Sequence, residues 1–121
     1  MDKAGKPYIL HPLQVAYNQR TEEGFIVGML HDVVEDSHYT LYDLVKSGFS
    51  ERVIEAVALL THKKDVDYFD YVRQIKGNEL ARNVKLADLA HNSDLSRLPE
   101  ITEKDRARVE KYKKAMEILR S

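Results

Sequence analysis

The chain has 121 residues, 43% of them hydrophobic and 32% charged, which is the size of one domain with a core of its own. Its 19 Lys and Arg against 20 Asp and Glu leave a net charge of −1, which argues against a protein built to coat nucleic acid or an anionic membrane. With no cysteine, disulfides, thiolate zinc sites and cysteine nucleophiles are excluded, and any metal must be held by His, Asp and Glu.

Helix-period patterns dominate, and nothing alternates with period two for long enough to make a sheet. Pro12 suits the first turn of a short helix carrying Leu13, Val15 and Ala16 to about Gln19. Thr21, followed by Glu22 and Glu23, reads as the N-cap of a helix over 22–36 whose apolar stripe is Phe25, Ile26, Met29, Leu30 and Val33. Thr40 with Asp43 forms a capping box for a short helix ending at Gly48. Ser50 caps the next, with Val53, Ile54, Val57, Ala58 and Leu60 inward. Tyr68, Phe69, Val72 and Ile75 make another stripe, stopped by Gly77-Asn78. Leu80, Val84, Leu86, Ala87 and Ala90 carry a helix over 79–91. Thr102 with Asp105 caps the last, with Val109, Tyr112, Met116 and Leu119 inward. The expectation is an all-α domain of six or seven helices occupying residues 1–121. No apolar run approaches the roughly 20 residues that span a bilayer. MDKAGKPYIL lacks the apolar stretch of a signal peptide, so a cytoplasmic location is expected.

Three segments carry chemistry. In His31-Asp32-Val33-Val34-Glu35-Asp36, helical spacing makes His31 a neighbour of Glu35 and Asp32 a neighbour of Asp36. Three carboxylates at a helix C-terminus oppose the macrodipole and call for a positive partner, unless the end simply frays into solvent. Asp88 sits among Leu86, Ala87 and Leu89, with Asn92 one turn on. It either bonds a neighbouring group inside the fold or serves as a ligand. His11-Pro12 opens a helix, and His11 is structural or a ligand; His38 and His62 fall in predicted loops as solvent residues. Taken together, His11, His31, Asp32 and Asp88 supply two imidazoles and two carboxylates, a set suited to Mn²⁺, Fe²⁺ or Zn²⁺ with positions left for water. Glu35 and Asp36 lie nearby to orient that water or accept its proton.

The ordered strings GKPYILHPLQVA, MLHDVVED and VKLADLAHNSDLSRL resemble the hydrolase domain of the RelA/SpoT-type alarmone enzymes, an HD-domain fold, and look most like its small stand-alone members. The resemblance runs from about Gly5 to Leu119. It implies an HD-type helical bundle and one Mn²⁺ on His11, His31, Asp32 and Asp88. It also implies that Glu35 and Asp36 act on the water and that Asn92 lines the substrate pocket. The implied reaction is hydrolysis of the 3′-pyrophosphate of guanosine tetra- or pentaphosphate, with the nucleotide as the small-molecule partner. Lys3, Lys85 and Arg97 are the cations placed to meet substrate phosphates, or else ordinary surface charges. The family's Arg-Lys pair before the loop is replaced here by Asp2-Lys3, and Asp2 cannot stack on guanine. That leaves open another nucleotide such as NADPH, or a binding and regulatory module that turns over weakly. The family's first helix has no counterpart before Met1, so either the chain is a truncated product or a neighbouring subunit, as in a homodimer, is expected to cover the surface that helix would protect.

Overall fold

The computed structural model describes residues 21–94 and 100–121. Among the described residues there are six helices and no strand. They are α1 (Glu22–Asp36), α2 (Leu41–Lys46), α3 (Glu51–Leu60), α4 (Tyr68–Lys76), α5 (Glu79–Asn92) and α6 (Glu103–Arg120). The expected helix after Pro12 lies outside the described residues.

Each helix starts where a short polar side chain replaces a missing backbone partner. Thr21 accepts from Gly24 N at 3.0 Å, Ser50 from Val53 N at 3.3 Å, and Asn78 from Ala81 N at 3.0 Å. Thr40–Asp43 and Thr102–Asp105 close full capping boxes. Two hydrogen bonds from Thr102 and the Arg108 guanidinium hold the Asp105 carboxyl below its ordinary value. Asp67 starts α4 by accepting from Phe69 N and Asp70 N. After α2 the chain turns through Gly48 at φ 88°, a left-handed conformation that glycine adopts without steric cost.

Helix α5 is the hub. It packs against α1, α3, α4 and α6, while α3 also meets α1, α2 and α4. The buried core draws on every helix: Val27, Leu44, Val53, Val57, Leu60, Val72, Ile75, Val84, Leu89 and Leu119 are all at most 2% exposed. The inward residues expected on α6 hold in part. Val109 and Leu119 are buried, Tyr112 and Met116 half-buried, and Ala115 between them is fully buried. The ammonium groups of Lys111 and Lys114 lie 4.1 Å and 4.9 Å from the ring centroids of Tyr68 and Phe69, tying α6 to α4 by cation–π contact.

Helix α1 departs from the expected stripe. Phe25 and Val33 are 38% and 37% exposed, and the buried face is instead Gly24, Val27, Gly28, His31 and Asp32. Ile26, Leu30 and Val34 flank it, partly buried against the core. A helix pressed on both α3 and α5 buries its small residues and its polar His31-Asp32 pair, and its larger apolar residues fall to the sides. The described helices include none long and apolar enough to cross a membrane.

Candidate active site

Among the described residues, two helices build the site. From α1 come His31 and Asp32, only 4% and 9% exposed; from α5 comes Asp88, 7% exposed. These are the buried polar and charged residues of an otherwise apolar core, among the residues described. They meet because α1 lies against α5.

The orientation of His31 is set within its own helix. Its Nδ1 lies 2.6 Å from the Gly28 carbonyl oxygen, which can only accept, so Nδ1 carries the proton and donates. Nε2 then points its lone pair into the site, 3.4 Å from Asp32 Oδ1 and 3.8 Å from Asp88 Oδ1. An imidazole lone pair and two carboxylate oxygens are mutually repulsive unless something positive lies among them. Burial works against charging the ring, yet Asp88 and then Asp32 outweigh it and raise the His31 pKa above 6.5. The site therefore favours a cation at Nε2.

Asp88 is held on both oxygens. Lys85 Nζ donates to Oδ2 at 3.0 Å and Asn92 Nδ2 to Oδ1 at 3.2 Å. Burial opposes the Lys85 charge, but the Asp88 carboxylate more than restores it and raises its pKa. Lys85 thus spends its charge on Asp88, within the fold, rather than presenting it at an open surface.

Glu35 sits one turn beyond His31 on α1, and its Oε1 accepts the backbone N–H of His62 at 3.1 Å. Loss of hydration raises its pKa, against the opposing pull of that N–H and of Lys85. Asp36 closes α1, but its side chain, like His11, Lys3 and Arg97, lies outside the described residues.

Imidazole nitrogen and carboxylate oxygen are the donors that first-row divalent ions accept, so the donor chemistry fits such an ion. Among the described residues alone, no group of three His, Asp or Glu side chains closes into a metal-holding set. The expected fourth donor, His11, lies outside them.

Two residues at the site carried no functional reading in the sequence. His62 is exposed, as its loop position suggests, but its ring stacks on Tyr71 and its backbone reaches Glu35. Tyr71 is 4% exposed, beneath His62 on one side and 5.3 Å from the Lys85 ammonium. Tyr71 lies at helical spacing from Tyr68 and Ile75, so the α4 stripe could have included it; nothing local marks His62.

No family model matches the chain. A guanosine-3′,5′-bis(diphosphate) 3′-pyrophosphohydrolase of Borreliella burgdorferi is 33% identical over 115 residues, covering 80% of this chain and 17% of that protein. The protein of the same name from Aquifex aeolicus is 39% identical over 70 residues, covering 54% of this chain and 10% of its own length. The chain is similar to one segment of RelA/SpoT-type pyrophosphohydrolases. A putative chloroplastic GTP diphosphokinase of Arabidopsis thaliana is also similar, 26% identical over 112 residues, with 74% of this chain and 13% of that protein covered. The chain therefore spans less than a fifth of each of these pyrophosphohydrolase and diphosphokinase relatives.

Proposed function

We propose that this chain is a metal-dependent phosphohydrolase domain that releases pyrophosphate from the 3′ position of guanosine tetra- or pentaphosphate. The observation that carries the reading is the meeting of His31, Asp32 and Asp88 in one buried polar nest, with His31 Nε2 facing both carboxylates. Structural cores rarely bury two carboxylates beside an imidazole without a use for the charge. The names of the two pyrophosphohydrolase relatives supply the substrate class.

His11, His31, Asp32 and Asp88 would hold one divalent ion, Mn²⁺ as the first choice, which when bound lowers the pKa of water and polarises a phosphoryl oxygen. The Gly28 carbonyl fixes the His31 tautomer and so leaves Nε2 as the nitrogen that would serve as a ligand. Lys85 and Asn92 orient Asp88 by holding its two oxygens. Glu35, whose pKa lost hydration raises above the ordinary glutamate value, accepts a proton from the attacking water. Asp36 shares that task. Lys3 and Arg97 neutralise substrate phosphates and Asn92 lines the pocket. Attack of water on the phosphorus bonded to the ribose 3′ oxygen breaks that P–O bond, the 3′ oxygen leaves as a hydroxyl after taking up a proton, and the products are guanosine 5′-di- or triphosphate and pyrophosphate.

The test is Mn²⁺-dependent pyrophosphate release from guanosine tetraphosphate by the purified chain. Release that stops on chelation supports the proposal; protein that binds the ion yet cleaves no nucleotide refutes it. Asp2, where the family carries arginine, favours a second reading in which the base is poorly read. Turnover of guanine and adenine substrates at similar kcat/KM selects that reading, and a strong guanine preference rejects it.

A further inference from the structure

We propose that His62 is a positioning residue for Glu35: its ring, seated on Tyr71, fixes the α3–α4 connection so that the His62 backbone N–H meets the Glu35 carboxylate. This rests on the role given to Glu35 above.

Glu35 needs outside help to hold one orientation. It is a long side chain near the end of α1, and a carboxylate that handles a water must be placed to within a fraction of an ångström. Among the described residues its carboxylate accepts one hydrogen bond, from His62 N at 3.1 Å. That donor lies in the short segment between Leu60, the end of α3, and Tyr68, the start of α4. A connection of this kind keeps its shape only if something pins it.

The His62 side chain does so from two directions. Nε2 lies 2.7 Å from the Val66 carbonyl oxygen, so the ring donates across its own loop. The ring stacks on Tyr71 with centroids 4.5 Å apart and planes inclined by 26°, and meets Tyr68 edge-on at 5.9 Å. Tyr71 is itself fixed, buried in the core with its hydroxyl donating to the Leu60 carbonyl. The same ring lies 5.3 Å from the Lys85 ammonium that bonds Asp88. Tyr71 therefore sets both sides of the site in register: Asp88 through Lys85, and Glu35 through His62.

The experiment pairs His62→Ala with His62→Phe. Alanine removes the stack and the Val66 bond, while phenylalanine restores the stack. Hydrogen exchange of the residue 62 amide reads the contact without any turnover. We expect that amide to be protected in the wild type and in His62→Phe, and to exchange at least about tenfold faster in His62→Ala and in Glu35→Ala. Pyrophosphate release should show kcat roughly tenfold lower in His62→Ala, as for loss of a hydrogen bond to a charged group, with KM and Mn²⁺ affinity unchanged. His62→Phe should return most of that kcat. An amide equally protected in His62→Ala overturns the proposal, as does loss of protection with unchanged kcat. A wild type that keeps the protected amide but releases no pyrophosphate overturns the hydrolase reading and this role with it.

Discussion

At the scale of single residues, the site is a balance of buried charges. The His31 imidazole lies within ion-pair distance of the Asp32 and Asp88 carboxylates, and the Lys85 ammonium bonds Asp88, all under little solvent. Glu35 stands at the edge of this group, and in the proposed reaction it is the residue whose protonation would govern turnover. Its raised pKa sets the sign of the pH dependence: a base must be deprotonated, so kcat should fall on the acid side at a higher pH than an ordinary glutamate would give. Glu35→Gln should keep the ion, lower kcat by roughly 10²- to 10⁴-fold and erase that acid limb. Metal analysis beside a pH–rate profile checks all three, and loss of the ion would place Glu35 among the ligands instead. The motif residues His31, Asp32 and Asp88 were legible in the sequence because charged residues stood inside apolar helical runs. His62 was not, since its contribution comes from a backbone N–H and a ring contact across the loop, and neither has a signature in residue order.

At the scale of elements, the helix limits were readable and the orientation of one helix was not. Thr21, Thr40, Ser50 and Thr102 mark helix starts in the sequence and accept the expected backbone hydrogen bonds in the structure. Capping is local chemistry, fixed by residues three apart. Which side of α1 faces inward depends on two partners distant in sequence, α3 and α5, and the most hydrophobic stripe loses to the one with small residues and the polar pair. The consequence is measurable by paired truncation. Val27 is 0% exposed, so Val27→Ala should cost about 2 kcal/mol through lost burial and the cavity left behind. Val33→Ala, at 37% exposed, should stay within about 0.5 kcal/mol of wild type. Chemical denaturation of both variants decides the matter, and equal losses would return α1 to the orientation its apolar stripe suggests.

At the scale of the whole molecule, the polar nest links α1 to the central helix α5, so whatever occupies it acts on global stability. Without an ion, protonated His31 supplies the positive charge between Asp32 and Asp88. Its folded-state pKa is raised above 6.5, so its stabilising contribution is fully present below pH 6.5 and is lost as pH rises through the raised value. With an ion, the order reverses. The proposed Mn²⁺ would compete with the proton for Nε2, bind better as pH rises, and stabilise the folded chain alone. At an ion concentration one hundred times Kd the gain is about 2.7 kcal/mol, or roughly 10 °C in Tm for a chain of this length. Melting curves at pH 6 and pH 8.5 should therefore diverge: chelated protein loses Tm on going to pH 8.5, and Mn²⁺ restores more there than at pH 6. Asp88→Asn should flatten both trends, because it removes one charge that raises His31 and one carboxylate ligand. Identical melting of the wild type with Mn²⁺ and with chelator at pH 8.5 would mean that the imidazole and the two carboxylates hold a proton and nothing more.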